Sequence, residues 1–228
     1  MLFIGLDDTD NLDSRGTGRL ARHIAATLSA DYALRGVVRH QLLVDHRVRC
    51  TRNNSAAAIL LDTNGKVDAE ALFKRVKEEM LSDFQPGSDP GLCVAWAVPA
   101  AVTEFAQRAK RELVTESEAR ALAAASGILL DALGGDGSGV IGALAAVGLA
   151  AAGDDGRYIL VGRSRGLSGL ESISEILAAG IAAVQTAAGQ PVTKGLVRSD
   201  KLRPARRGGR PVLVVKREGD HWSPLKLD

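Results

Sequence analysis

Three carboxylates follow the first apolar segment of the chain within four residues. Asp7, Asp8 and Asp10 come directly after the apolar run 2–6. Ionised carboxylates this close together raise one another's pKa, and a Mg²⁺ ion bound by their oxygens would neutralise that repulsion. We therefore predict that these three residues form a catalytic magnesium site. Residue type alone also allows an exposed acidic turn or a cluster that caps a helix.

A short glycine-containing segment that could bind an anion comes next in the chain. Gly16 and Gly18 would let backbone N–H groups approach an anion at the start of a helix. Arg15 and Arg19 add positive charge to the same segment. Carboxylates followed by such a cradle indicate a Mg-nucleotide site. Thr17 is the hydroxyl nearest the cradle, and on residue type alone it could equally well cap the helix.

A second glycine run, residues 134–142, precedes an apolar segment with helical character. Its formal G-x-G-x-x-G pattern lacks the context of a dinucleotide-binding fold, because we predict a helix before it and no acidic strand end about 20 residues later. Gly137 and Gly139 are candidate phosphate-binding residues of an anion loop. The alternative is a flexible interhelical connection that also allows close packing of a small-residue helix.

Basic residues are concentrated in the predicted hairpin around residues 39–52. Such charges could bind a triphosphate or an RNA backbone, or they could protect a solvated edge strand from aggregation. We take Arg47 and Arg49 as candidate RNA contacts. The basic residues of this segment are Arg39, His40, His46, Arg47, Arg49 and Arg52.

A second basic region lies near the end of the sequence. Residues 194–217 contain nine Lys and Arg residues against one acid, although the whole chain carries only +2. Lys201, Arg206 and Arg207 are therefore further candidate RNA contacts. A solvated loop is the alternative, since the region contains no aromatic side chain on which bases could stack.

The hydrophobic periodicity of residues 1–100 predicts the element order β-α-β-β-α-β. This is the ferredoxin-like α+β arrangement, with two helices on one face of an antiparallel sheet. The predicted strands are 2–6, 37–44, 56–61 and 92–98, and the predicted helices start near Gly18 and include Leu72 to Phe84.

Residues 101–228 are predicted to form a helix-rich α/β domain with the glycine loop and a basic C-terminal hairpin. The pattern leaves open that this half adds strands to the first sheet. The predicted helices are 103–111, 116–125, 140–152 and 173–184, and the predicted strands are 158–161, 211–216 and 222–225.

Composition excludes several classes of protein. The chain has 228 residues, of which 46% are hydrophobic and 25% charged, as is typical of globular domains. Two cysteines are too few for a disulfide framework. The apolar run 137–153 is shorter than a membrane span, and residues 1–8 lack the features of a signal peptide. We therefore expect a cytoplasmic protein without membrane contact.

Several of these segments together resemble the archaeal tRNA-isoleucine 2-agmatinylcytidine synthetases. Residues 4–10 and 15–17 are similar to the opening of that family, and residues 50–54 to its K-T-R-G-N segment. Residues 89–91 resemble its N-P-G turn, and residues 137–148 its glycine loop. The resemblance covers the family's kinase-like and ferredoxin-like half, without its OB-fold and zinc ribbon.

The resemblance implies an ATP-using enzyme, in which ATP activates a cytidine carbonyl oxygen before an amine displaces the phosphate. Cys50 and Asn53 replace the lysine and the glycine of the family's segment. By this resemblance, Mg-ATP would be held by Asp7, Asp8 and Asp10, Thr17 would lie near the reacting phosphate, and Arg52 and Asn53 would line the nucleotide site.

We therefore predict an ATP- and Mg²⁺-dependent phosphotransferase or ligase-like enzyme, acting on RNA or on a small metabolite. Two alternatives stay open at this point. One is a nucleotide- or RNA-binding module without catalysis. The other is a subunit of a larger RNA-modifying complex, in which residues 194–217 contact a partner.

Overall fold

A computed structural model describes residues 1–51, 53–63 and 67–227, and it shows a mixed α/β fold built on one large sheet. The first part of the chain follows the predicted order of strand, helix, strand, strand, helix, strand. These elements are β1 (Leu2–Asp7), α1 (Thr17–Leu28), β2 (Ala33–Gln41), β3 (Ser55–Asp62), α2 (Ala69–Ser82) and β4 (Gly91–Ala95).

The remaining elements start with two helices and continue with short strands and further helices. They are α3 (Ala100–Arg108), α4 (Glu116–Ala125), β5 (Leu129–Ala132), α5 (Gly139–Ala152), β6 (Arg157–Leu160), β7 (Leu170–Ser172), α6 (Ile173–Ala178), β8 (Ala183–Thr186), β9 (Leu196–Arg198), β10 (Ala205–Arg207), β11 (Arg210–Glu218) and β12 (His221–Pro224). A 3₁₀ turn spans Ser164–Gly166.

Strands from before and after residue 100 belong to the same sheet. The central strands lie in the order β4-β1-β3-β2 and pair antiparallel. Strand β5 extends one edge by pairing with β4, and β6 extends the other by pairing with β2. The possibility that the second half adds strands to the first sheet is therefore confirmed. The division into a ferredoxin-like domain 1–100 and a kinase-like domain 101–228 stays a prediction.

Two predictions for the second half are wrong. The strand β5 lies between α4 and the glycine run, so a strand and not a helix directly precedes that run. One reason given against a dinucleotide-binding fold therefore fails, although β5 pairs antiparallel, unlike the strands of that fold. The helix predicted to extend to residue 184 ends at Ala178, because Gly180 has φ +105° and Val184 lies in β8. Helix α4 and the final hairpin are confirmed.

Side chains alternate across the central strands, so each face of the sheet is covered by different helices. Leu2, Ile4 and Leu6 of β1 pack with the buried faces of α1 and α2. Phe3 belongs to the opposite core, with side chains of α3 and α5. Helix α5 is therefore buried, and no described helix is long and apolar enough to cross a membrane. The cytoplasmic location stays a prediction.

Candidate functional site

The loop after β1 folds back onto the start of α1. Asp8 has φ +47°, a left-handed conformation that Asp tolerates better than most residues, and it turns the chain at the strand end. One Asp10 carboxylate oxygen, Oδ1, accepts hydrogen bonds from the Thr17 backbone N–H (3.2 Å) and hydroxyl (2.9 Å). The Thr17 hydroxyl oxygen also accepts from the backbone N–H (3.2 Å) and the hydroxyl (3.1 Å) of Thr9.

Thr17 is therefore held by hydrogen bonds, but it does not cap the helix. The N-cap of α1 is Gly16, with φ +73° and no side-chain capping bond, and Thr17 is the first helical residue. The helix-capping interpretation of Thr17 is wrong, because the Asp10 carboxylate accepts the first helical N–H instead. The Thr51 hydroxyl donates to the Asp10 backbone carbonyl (3.1 Å), which joins the loop before β3 to this turn.

We call the cavity on one side of this turn the carboxylate cavity; its volume is about 320 Å³. Its lining combines polar and apolar residues. The polar or small residues include Asp7, Asp8, Asp10, Thr17, Thr51, Asn53, Asp136, Ser138 and Gly139. The apolar residues include Leu42, Leu43, Val48, Leu113, Val114 and Ile141.

The electrostatics of this cavity favour protonation of its innermost carboxyl group. Burial and the adjacent Asp8 charge raise the pKa of Asp7 to about 7. Burial also raises the pKa of Asp8, although the positive charge of Arg49 opposes this shift. A cation bound here would favour both ionised forms.

Glycines bring α5 close enough to wall the cavity. A Cβ at Gly142 would lie 1.8 Å from Asp7 Oδ2, and a Cβ at Gly139 would lie 2.0 Å from the Asp89 carbonyl oxygen. The close-packing interpretation of the glycine run is thus supported, while Ser138 and Gly139 also bring the N-terminus of α5 to the cavity. Gly137, with φ +89°, does not line the cavity and turns the chain before α5.

An ion pair closes the rim of the cavity beside β4. Arg49 pairs with Asp89, which is only 2% exposed. The other Asp89 oxygen, Oδ1, accepts the Asp136 backbone N–H at 2.6 Å. Asp136 in turn accepts the Ser138 backbone N–H at 2.9 Å. Arg49 therefore joins the basic segment before β3 to the glycine run.

A larger pocket of about 690 Å³ lies on the other side of the turn, and we call it the basic pocket. The two sites share the wall formed by Asp10, Thr17, Asn53 and Ser55. Eight cationic side chains line the basic pocket, together with Asp10 and Asp200: Arg15, Arg19, Arg22, Arg39, Arg157, Arg165, Lys201 and Arg203. Gly16 and Gly18 line it as well.

The structure brings most of the predicted site residues to these two adjoining sites. Asp7, Asp8, Asp10, Thr17, Asn53 and Gly139 line the carboxylate cavity, and Arg15, Gly16 and Gly18 line the basic pocket. Gly137 lines neither of them. Arg52 lies outside the described residues.

The predicted RNA contacts separate into different environments. Arg47 pairs with Asp45, and Arg49 with Asp89. Arg206 is 5% exposed and donates to the carbonyls of Ala150 and Gly209 and to the Tyr158 hydroxyl. Arg207 donates to the Asp154 carbonyl at 3.0 Å. Of these five residues, Lys201 alone lines the basic pocket.

Sequence reasoning missed residues that come to the site from distant positions. Asp89 and Asp136 were not predicted as charged parts of the cavity rim, nor Arg22, Arg157 and Arg165 as parts of the basic pocket. Asp89 follows a Gly-Ser turn and precedes Pro90, which is a sequence signal for a loop but not for a buried ion pair.

The described residues contain no group of three or more His, Cys, Asp or Glu side chains placed to hold a metal ion. One oxygen of Asp10 is already occupied by Thr17. Asp7 and Asp8, whose charges interact and which line one cavity, fit a Mg²⁺ ion of the kind that takes one or two protein carboxylates and completes its shell with phosphates and water. The three-carboxylate site stays a prediction.

Comparison with known proteins supports the fold. No protein-family profile and no curated protein matches the sequence. A solved tRNA fluorescent labeling enzyme superposes with a TM-score of 0.56 and 24% identity, covering 64% of this chain and 35% of its own. TiaS bound to its isoleucine tRNA and ATP gives 0.56 and 24%, covering 64% and 36%. Apo TiaS, an agmatidine synthetase for that tRNA, gives 0.54 and 23%, covering 64% and 35%.

The chain thus aligns with little more than a third of the length of these neighbours. At this level of identity the similarity concerns the fold and not the activity. The predicted resemblance is therefore confirmed at the level of architecture: the chain has a TiaS-like fold.

Proposed function

We propose that this protein binds Mg-ATP in the carboxylate cavity and uses it for phosphoryl transfer or for activation of a substrate, in a reaction of the kind that modifies RNA or a small metabolite. The observation that carries the proposal is one cavity lined by Asp7, Asp8 and the N-terminus of α5 together with several apolar side chains. The TiaS-like fold supports it, because TiaS has been solved with its isoleucine tRNA and ATP, and with an ATP analogue and agmatine.

The apolar and the polar lining residues suit the base and the phosphates of a nucleotide, respectively. Leu42, Val48 and Leu113 offer an apolar surface for a purine base. Ser138 and Gly139 stand at a helix N-terminus, where the helix dipole favours a phosphate. In this proposal the terminal phosphate lies near Asp10 and Thr17, which line the same cavity.

The metal would be held by Asp7 and Asp8, with nucleotide phosphates and water as its other ligands. When bound, Mg²⁺ supplies positive charge to the phosphate oxygens of the nucleotide. Asp7 and Asp8 would then be ionised despite their raised pKa values, since a nearby cation favours a carboxylate.

Thr17 would lie beside the terminal phosphate without needing to react. The Thr17 hydroxyl donates a hydrogen bond to the Asp10 carboxylate, and this bond fixes the orientation of the hydroxyl group. Asp10 would therefore orient Thr17 and the start of α1, and Asn53 would line the phosphate end from the other wall. Gly16 and Gly18 have no side chains, so their backbone lines the basic pocket. An acceptor substrate could approach the phosphate from this pocket.

The test is nucleotide binding and turnover in the Asp8→Asn variant, compared with Asp13→Asn. Asp8→Asn keeps the shape of the side chain but removes its charge, and we expect ATP turnover to fall by about 100-fold. Asp13 lies in the same loop, is exposed and does not line the carboxylate cavity, so Asp13→Asn should retain turnover within about twofold. Products are resolved as ADP or AMP, with and without bulk tRNA.

The products distinguish the forms of the proposal. AMP that disappears in Asp8→Asn would indicate synthetase-like activation, and ADP alone would indicate phosphoryl transfer. Equal turnover in Asp8→Asn and in the unaltered protein would overturn the site. Mg-ATP binding without turnover in every condition would leave a nucleotide-binding module in place of an enzyme.

A further inference from the structure

We propose that the basic pocket binds a small second substrate that carries several phosphate groups. This inference rests on the proposed function of the carboxylate cavity, and it names the chemical class of the acceptor: a compact polyanion, and neither a cationic amine nor the backbone of an RNA. Four lines of observation support it, namely charge pairing, mutual repulsion, position and size.

Several cations of the basic pocket have no acidic partner in the described part of the chain, although they lie close together on one concave surface. Among the described residues, no acidic side chain forms an ion pair with Arg22, Lys201 or Arg203, and the same holds for Arg15 and Arg19. Some cations outside the pocket do have acidic partners: Arg35 pairs with Asp62, Arg75 with Asp31, Lys77 with Asp131, and Arg108 with Glu112 and Glu118.

Unpaired cations at short range repel one another. Burial, together with the positive charges of Arg165 and Arg19, lowers the pKa of Arg22. Collecting these side chains around one concave surface therefore costs free energy in the ligand-free protein. A ligand with several negative charges removes that cost, because each phosphate oxygen can accept charge-assisted hydrogen bonds from guanidinium groups. A cationic amine would increase it.

The position of the pocket connects it with the nucleotide. Asp10, Thr17 and Asn53 form a wall common to the basic pocket and the carboxylate cavity. A molecule in the basic pocket can thus present one group at the turn where the terminal phosphate of a nucleotide is expected. Its remaining anionic groups would contact Arg22 and Arg203, away from Asp7 and Asp8.

The shape of the pocket favours a small molecule over RNA. A volume of about 690 Å³ is within the range of small-molecule sites. No Phe, Tyr or Trp is present among the described residues that line it, so unpaired bases would find no stacking surface. In addition, Arg206 and Arg207 of the basic C-terminal region donate hydrogen bonds to backbone carbonyls of the protein. They therefore do not extend the pocket into a continuous basic surface for an RNA backbone.

The experiment measures binding of inorganic tripolyphosphate to the full chain by calorimetry, in EDTA and without nucleotide. We compare the unaltered protein with the double variant Arg22→Gln/Arg203→Gln. The matched control, Arg35→Gln/Arg75→Gln, removes the same charge from two exposed ion pairs outside the pocket. We expect saturable 1:1 binding that is weakened at least about tenfold in the pocket variant and less than about twofold in the control.

A second titration uses Mg²⁺ and a non-hydrolysable ATP analogue, and here both double variants should bind within about twofold of the unaltered protein. Loss of nucleotide binding in all three proteins would overturn the proposed function, while tripolyphosphate binding would still report on the pocket. The inference would be overturned if the pocket variant and the control weakened the binding of tripolyphosphate equally. The inference would also be overturned if an RNA hairpin bound more tightly than tripolyphosphate and if the pocket variant weakened the binding of both ligands to the same degree.

Discussion

The carboxylate cavity and the basic pocket share one wall but carry opposite charge. On one side Asp7 and Asp8 lie close together with raised pKa values. On the other side burial, together with the charges of Arg165 and Arg19, lowers the pKa of Arg22. Each group of charges is unfavourable by itself, and each would be neutralised by a different ligand, a metal in the first case and phosphates in the second. The contrast supports the proposal of two adjoining binding sites with different ligands.

The two sites are also built differently. The position of α5 beside the carboxylate cavity depends on close backbone contact, since α5 approaches β1 and β4 at positions where only glycine fits, such as Gly5, Gly91 and Gly139. Long side chains from α1, the 3₁₀ turn and the segment 199–203 form the basic pocket. We therefore expect substitutions of small residues to damage the first site through the fold, whereas substitutions in the second site should change binding and leave the fold intact.

The largest effect is expected for Gly139→Ala. Its Cβ would lie 2.0 Å from the Asp89 carbonyl oxygen and 2.7 Å from the Gly91 backbone nitrogen, so α5 must move away from β4. We expect the free energy of unfolding to fall by about 3 kcal/mol, with loss of nucleotide binding. Urea-induced unfolding measures this free energy. Gly166→Ala is the control, because a Cβ there has open space and the free energy of unfolding should not change. Equal stability of the two variants would contradict the packing argument.

A smaller loss is expected for Arg206→Met, and it compares a buried arginine with one that lines the basic pocket. Arg206 donates to two carbonyls and to the Tyr158 hydroxyl at 2.6 to 3.0 Å, and these acceptors would lose their donor. We expect a loss of about 2 kcal/mol in the free energy of unfolding. Arg203→Met should change it by less than about 0.5 kcal/mol. If both variants lost the same free energy of unfolding, Arg203 would stabilise the fold and would not be a binding residue of the basic pocket.

Local sequence signals predicted the longer elements well. Helix α4 begins after Thr115, whose hydroxyl accepts the Glu118 N–H while Glu118 accepts the Thr115 N–H, and this capping box is visible in the sequence. The strands β5, β7, β9 and β10 have only three or four residues. Their pairing depends on partners far along the chain, as for β6 with β2, and no local pattern specifies such partners.

The same division applies to the site. Asp7, Asp8, Asp10 and Thr17 could be predicted because they are close in sequence and follow one strand. The basic pocket could not, since Arg22, Arg165 and Arg203 meet only when α1, the 3₁₀ turn and the segment before β10 are folded together. Arg206 shows the opposite case: its basic neighbours in sequence indicate an exposed nucleic-acid surface, but tertiary packing buries it.

The smallest effect is a dependence of stability on pH that distinguishes the carboxylate cavity from the basic pocket. The pKa of Asp7 is about 7 in the folded protein, above its value of 3.8 when exposed, so the folded state keeps a proton that the unfolded state releases. Stability should therefore decrease as pH rises from about 4 to about 7 and stay level above that.

We expect the Asp7 contribution to be about 1 to 2 kcal/mol between pH 5 and pH 8 in EDTA, because water in the cavity screens part of the charge. Chemical unfolding at several pH values measures it. Asp7→Asn should remove this part of the slope, whereas Arg203→Met should leave it, since an arginine does not titrate in this range. Saturating Mg²⁺ with an ATP analogue should also reduce the slope, by favouring the ionised carboxylate. A slope that persists in Asp7→Asn would mean that another group carries the proton, and the cavity would then not need a cation to balance Asp7.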